Sequence, residues 1–154
     1  MFKKRLILGL FAGIIALYPL GAANVSFLVM ETGMNADDPN GNYSALWENN
    51  LLDVFFDMGH IVSNSLKIQI SQKPAGDFPA EARRDYTSAR EGGMDYFIIA
   101  IVDYKAPNVS LRLFNTKSSN MITEQKYAIS SFRNTKDENE SIKKAVAVMA
   151  ARLK

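Results

Sequence analysis

The sequence predicts an α/β (α+β) fold: a single domain with a mixed central sheet and packed helices, in the order β-α-β-β-α-β-β-β-α. Three observations carry this. First, two short apolar runs, Val25 to Met30 ("VSFLVM") and Tyr96 to Val102 ("YFIIAIV"), lack the alternation of a half-exposed strand. Such runs suit strands covered on both faces at the centre of a sheet. Second, the segments between and after them carry helical periodicity. Third, residues 109–128 alternate apolar and polar across a turn, the pattern of a hairpin.

The elements follow in order. After Met30, "ETGMNADDPNGNYS" gathers Gly, Pro, Asn and Asp into a loop longer than a compact connection needs. "ALWENNLLDVFFDMGH" then reads as a deeply buried helix. Trp47, Leu51, Phe55 and Met58 share one face, and Leu52 and Phe56 widen it. Ser44 or Asn42 is suited to cap its start, and Gly59 to take the left-handed position after its end. Ile61 to Ser63 and Leu66 to Ile70 are strands, the second with Leu66, Ile68 and Ile70 inward and Lys67 and Gln69 outward. "AEARRDYTSAREGG" is a more polar helix that sets Ala82, Tyr86 and Ala89 against the sheet. Its Arg83, Arg84 and Arg90 are interleaved with Glu81, Asp85 and Glu91, an ordinary solvated face rather than a nucleic-acid stripe.

The opening glycines of "GGMDYFIIAIVDY" stop that helix, and the apolar run that follows is too short to cross a bilayer. Val109, Leu111 and Leu113 point inward from the next strand, with Glu124 and Lys126 on the wet side of its partner. Thr135 and Glu138 fit a capping box for a last helix that buries Ile142, Val146, Met149 and Leu153.

The first 23 residues read as a signal peptide. Lys3, Lys4 and Arg5 precede an apolar run from Leu6 to Leu17, then Pro19 and small residues. Cleavage is expected after Ala23, leaving residues 24–154 as the domain, periplasmic or secreted and without a stable membrane anchor. An uncleaved anchor is the alternative, but "VSFLVM" follows Asn24 at once and leaves no linker between lipid and strand. The chain carries a formal +2. Without the leader, 15 Lys and Arg face 16 Asp and Glu, so no strong field draws nucleic acid. With no Cys in 154 residues, disulfides, thiolate metal sites and a Cys nucleophile are excluded.

The order of short motifs is similar to that of a known group. "GHIV" at Gly59 to Val62 follows the buried helix, and Gly93, Asp95 and Tyr96 give a "G-x-D-Y" before the central strand. The hairpin runs Val109 to Ser118, then Glu124 to Tyr127. This resembles the TolB amino-terminal domain and its CsgG-like and LpoB-like bacterial envelope relatives, without the TolB propeller and without a lipid-carrying Cys. The resemblance implies a non-enzymatic role in protein–protein contacts: a subunit or regulator of a cell-envelope assembly.

No catalytic, cofactor or metal site is expected. His60 is the only histidine, and Asp57 and Ser63 are its sequence neighbours. Triad partners converge across a fold rather than along a chain. Asp37, Asp38, Asn40, Gly41 and Asn42 look like a calcium loop. With Gly41 in the sixth position, however, Ala36 and Trp47 fall where carboxylates are required. No phosphate-binding glycine pattern follows the first strand. The expected partners are envelope proteins, met by the loop from Thr32 to Tyr43: Asp37, Asp38, Asn40 and Asn42 offer hydrogen bonds, and Met34 and Tyr43 offer anchors. The competing expectation is a small periplasmic hydrolase or ligand-binding protein using His60 with the Asp37/Asp38 loop.

Overall fold

Strand β1 (Asn24–Thr32) is central, and everything else is placed by what pairs with it. In the computed structural model, which describes residues 21–34, 43–130, 133 and 135–153, it is followed by α1 (Tyr43–Asp57), β2 (Ile61–Asn64) and β3 (Ile68–Ile70). A single 3-10 turn leads into α2 (Arg83–Glu91), then β4 (Tyr96–Asp103), β5 (Asn108–Asn115), β6 (Met121–Ala128) and α3 (Lys136–Ala150). The element order is the expected one. The sheet runs β2-β1-β4-β5-β6, with β3 also on β1. Strands β2, β3 and β4 are parallel to β1, while β5 and β6 are antiparallel, so the sheet is mixed.

The handedness of crossovers sets the layers. Strand β2 lies on one side of β1 and β4 on the other, so right-handed connections put α1 and α2 on opposite faces. Val25, Phe27, Val29, Ile98 and Leu111 meet Trp47, Leu51 and Phe55 of α1 and Ile142, Val146 and Met149 of α3. Leu28, Met30, Phe97, Ile99 and Phe114 meet Ala82 and Ala89 across the sheet, with Tyr86 packed against them. All eight residues of β4 are buried, which is why its sequence shows no alternation.

Two helix ends are built alike. Past α1, Gly59 takes φ +85°, with the His60 N–H on the Phe55 carbonyl (3.0 Å) and its own N–H on that of Phe56 (2.9 Å). Past α2, Gly93 takes φ +76°, with the Met94 N–H on Ala89 (3.0 Å) and its own N–H on Arg90 (3.2 Å). Both are Schellman motifs, which need a residue free to adopt the left-handed conformation. At the start of α3, Thr135 accepts the Glu138 N–H at 3.2 Å. The reciprocal half of the capping box is spent elsewhere, because the Glu138 carboxylate reaches Tyr43 and Ser130 instead.

Several expected faces are corrected. Phe56 is 73% exposed and Met58 43%: Phe56 lies nine residues from Trp47, half a turn round the helix on the side away from the sheet, and Met58 lies past the helix end at Asp57. Ile61 on the edge strand is also exposed, at 62%. Leu66, expected inward, is 88% exposed. Phe27 of β1 faces Asn64 and Met30 faces Ile68, so Ser65, Leu66 and Lys67 stand opposite only Leu28 and Val29. This bulge carries one extra residue and reverses the alternation beyond it. Ile68 and Ile70 therefore pack on the α2 face, while Gln69 shares the α1 face with Glu31. On β5, Ser110 and Arg112 are buried as well as Val109, Leu111 and Leu113. The Arg112 guanidinium donates to the carbonyls of Gly76 and Asp77 (2.9 Å each) and to Glu124 (3.0 Å), so Glu124 is paired rather than simply wet. Finally, α1 begins at Tyr43, which puts Ser44 inside its first turn rather than before it. Asn42 lies outside the described residues.

Candidate functional site

Ligands of open α/β sheets gather beyond the carboxyl ends of the strands, where successive crossovers leave in opposite directions. Here that place is between β1 and β4, at the facing pair Thr32 and Asp103. It is filled. The Tyr104 N–H continues the pairing onto the Thr32 carbonyl at 3.0 Å. Gly33 lies so close to Lys105 that a Cβ there would sit 2.8 Å from its Cγ. Asp103 folds back on its own turn, accepting the N–H groups of Lys105 and Ala106 at 3.0 Å each, with the Lys73 ammonium 3.5 Å away.

On the α1 side of the same end lies a buried carboxylate. The Glu31 side chain has no exposed surface. Its Oε1 accepts from the Tyr104 hydroxyl at 3.0 Å and faces the Lys67 ammonium at 3.5 Å, and its Oε2 accepts from Gln69 at 3.4 Å. Lys67 also donates to the Ser44 hydroxyl at 2.9 Å. Burial, and then the Glu31 charge, push the Tyr104 phenol well above its ordinary range. The network ties β1, β3, β4 and α1 together. Each oxygen of Glu31 is already engaged, so the group holds the base of the loop and does not offer a free base.

Of the residues expected to make contacts, Asp37, Asp38, Asn40 and Asn42 lie outside the described residues. Met34 is half-buried against the main core, and its sulfur is 3.7 Å from the Gln69 amide. Tyr43 is buried and donates to Glu138 at 2.6 Å. Burial, followed by that carboxylate, raises its pKa far above the usual phenol value. Tyr43 thus joins the end of the loop to α3 and works inside the domain.

His60 lies at the other end of the sheet. Its Nδ1 accepts the Ala23 N–H at 3.2 Å, which places the ring proton on Nε2, and its ring stacks obliquely on Phe55 at 5.9 Å. Burial lowers its pKa. Among the described residues no carboxylate is hydrogen-bonded to it, Asp57 included. His60 lies beside the amino end of β1, and Thr32 and Met34, which lead into the acidic loop, lie at and beyond its carboxyl end. Asp37 and Asp38 themselves lie outside the described residues.

Comparison with known proteins returns folds only. Neither a family model nor a curated protein matches the sequence. Among solved structures, the C-terminal domain of LpoB from Escherichia coli is 15% identical and aligns over 74% of this chain and 88% of that one, with a TM-score of 0.44. Lipoprotein GNA1162 from Neisseria meningitidis is 14% identical over 82% and 98%, with a TM-score of 0.41. TolB from Acinetobacter baumannii is 12% identical over 85% of this chain and 28% of its own, with a TM-score of 0.40. The likeness is a loose one of fold. Among the described residues no helix is long and apolar enough to cross a membrane.

Sequence reasoning passed over a concentration of exposed apolar side chains. Four of the six exposed large apolar side chains among the described residues fall close together in sequence around the edge strand β2: Phe56 at the end of α1, Met58 in the turn after it, Ile61 on β2 and Leu66 in the bulge beyond it. The available signal was the density of apolar residues from 54 to 70, more than one helix face and two short strands can bury.

Proposed function

We propose that this chain is a non-enzymatic protein-interaction module exported to the bacterial cell envelope, where it serves as a subunit or regulator of an assembly. The observation that carries the proposal is the concentration of exposed apolar side chains around the edge strand β2: Phe56, Met58, Ile61 and Leu66. Isolated apolar side chains on a surface need no explanation, but a cluster on one edge of a sheet is a liability unless something covers it. The bulge at Ser65–Lys67 interrupts the row of main-chain groups there, so the edge offers side chains more than hydrogen bonds. It runs toward the loop, since Gln69 of β3 touches Met34. The contact surface in this proposal comprises the edge and the loop together: Met34, Asp37, Asp38, Asn40 and Asn42, with Tyr43 fixing the loop from inside. Export rests on Lys3, Lys4 and Arg5 and the apolar run behind them.

The test is site-specific photo-crosslinking in cells. A photoreactive residue at Ile61 or Leu66 is expected to trap one defined envelope protein, and the same group at Lys144 on α3 is not. Replacing Met34 to Asn42 by a short Gly-Ser link is expected to weaken the crosslink while the fold persists. Indiscriminate labelling from all three positions would defeat the proposal. Intact-mass measurement of periplasmic material is expected to give a chain beginning at Asn24, and a chain retaining Met1 would overturn cleavage after Ala23 in favour of a retained anchor.

A further inference from the structure

A second surface feature lies on the opposite face, between α2 and the turn joining β5 to β6. It is a groove of about 440 Å3. Its floor is aromatic. Phe78 meets Phe114 edge-on at 5.1 Å and Tyr86 edge-on at 5.0 Å, and Tyr86 in turn meets Phe97 at 5.6 Å. Rings locked in this way cannot collapse into the space above them, so the floor is preformed. The segment carrying Phe78 is held in place by Arg112, which donates to the carbonyls just before it.

The rim is charged. Arg83 and Arg90 line the groove from α2. They are seven residues apart, two helical turns, and so stand on one face about 10 Å from each other. Neither is ion-paired among the described residues. Asp77 is the one carboxylate in the lining, which leaves a net positive rim. The far wall is Ser119, a non-glycine residue at φ +59°, pinned by a 3.0 Å hydrogen bond between its hydroxyl and that of Tyr86. Residues held in such conformations recur at ligand clamps.

We infer that this groove is a docking pocket for an acidic peptide segment of a partner protein. One large apolar side chain of that segment enters over Phe78, Tyr86 and Phe114, and carboxylates on either side of it pair with Arg83 and Arg90. Guanidinium groups suit this task because they bind carboxylates through two parallel hydrogen bonds. A nucleic acid strand is a poorer fit, because it needs a continuous basic track with several stacking platforms. The inference rests on the interaction-module proposal and adds to it the chemistry of one contact.

The test is an amide NMR titration of the purified full chain with three capped peptides: Gly-Asp-Phe-Asp-Gly, its Asn counterpart Gly-Asn-Phe-Asn-Gly, and Gly-Asp-Ala-Asp-Gly. The first is expected to shift the amides of Tyr86, Ser119, Asn120 and Met121, and to bind roughly tenfold more tightly than either of the others. The double variant Arg83→Gln/Arg90→Gln is expected to erase the preference for Asp over Asn at an unchanged melting temperature. Phe78→Ala is expected to erase the preference for Phe over Ala. Equal binding of the three peptides, or shifts confined to other surfaces, would overturn the inference. So would free benzoate matching the first peptide on the same amides, since that would make the groove a site for small anions. If the crosslinks at Ile61 and Leu66 succeed while no peptide perturbs the groove, this inference falls and the interaction-module proposal stands.

Discussion

Asp95 receives the main-chain N–H of Asn24 at 3.0 Å, fastening the start of β1 to the residue before β4. The Asn24 amide (3.3 Å) and the Lys117 ammonium (3.1 Å) bind the same carboxylate. The Asn24 N–H, followed by Lys117, holds the Asp95 pKa below its ordinary value. A carboxylate whose pKa is lower in the folded state contributes stability above its unfolded pKa, and that contribution is lost as pH falls through the folded one. Asp95→Asn in the full-length chain is therefore expected to lower stability at neutral pH by less than about 1 kcal/mol, because the carboxylate is screened by solvent, and not at all in strong acid. Thermal melts across the acid range check this, and a constant deficit at every pH would be incompatible with it.

Phe55 and Phe56 are adjacent on α1 and opposite in environment. Phe55 is fully buried, and Phe55→Asp would place an unpaired carboxylate in the core at several kcal/mol, comparable to the stability of a whole domain. Phe56 projects into water, so Phe56→Asp should shift stability by no more than about 0.5 kcal/mol. Circular dichroism melts of the two variants are expected to show one unfolded chain and one near-normal transition.

The Glu31 network predicts an asymmetry. Lys67→Met leaves a fully buried carboxylate without its cation and should cost about 2 kcal/mol or more. Glu31→Gln removes the charge facing Lys67, but the ammonium keeps its hydrogen bond to Ser44 and is partly exposed, so this change should cost less. Urea denaturation of both variants gives the ordering, and the reverse order would mean that Glu31 is not desolvated as described.

His60 is expected to titrate below the ordinary histidine value, because burial disfavours its charged form. The unfolded chain then binds the proton more readily, so stability declines as pH falls from the unfolded value to the folded one and levels off below it. His60→Gln should remove this step while leaving the fold intact. Imidazole proton shifts followed by NMR would show it directly.

Legibility in the sequence followed how local each feature is. The eight buried residues of β4 and the Trp47, Leu51 and Phe55 face could be read because continuous apolarity and helical spacing are local signals. Phe56 and Met58 differ from their expected face because Phe56 stands half a turn round the helix from Trp47, and the helix stops at Asp57 before Met58 can continue its face. Leu66 was misassigned because "LKIQI" alternates without fault, and the bulge before it depends on β1 as the partner. The groove was hidden because it joins residues 77–90 to 114–121, and an isolated Phe78 beside a polar helix gives no hint of Phe114. The segment from Thr32 to Tyr43 carries turn chemistry in its sequence, but turn chemistry does not name a partner.

The bulge at Leu66 has a consequence for how this fold tolerates length changes. Within most strands, losing one residue turns every later side chain to the wrong face. Here the pairing of Met30 with Ile68 already absorbs one surplus residue, so Leu66 works as a frame-restoring insertion. Removing it would leave Ser65 opposite Leu28 and Lys67 opposite Val29, with Ile68 and Ile70 still facing α2. The chain from Ile61 to Ile70 would become one unbroken strand with a straight outer row of main-chain donors and acceptors. A single-codon deletion at this position would keep the core and convert a blunted margin into a template for self-association.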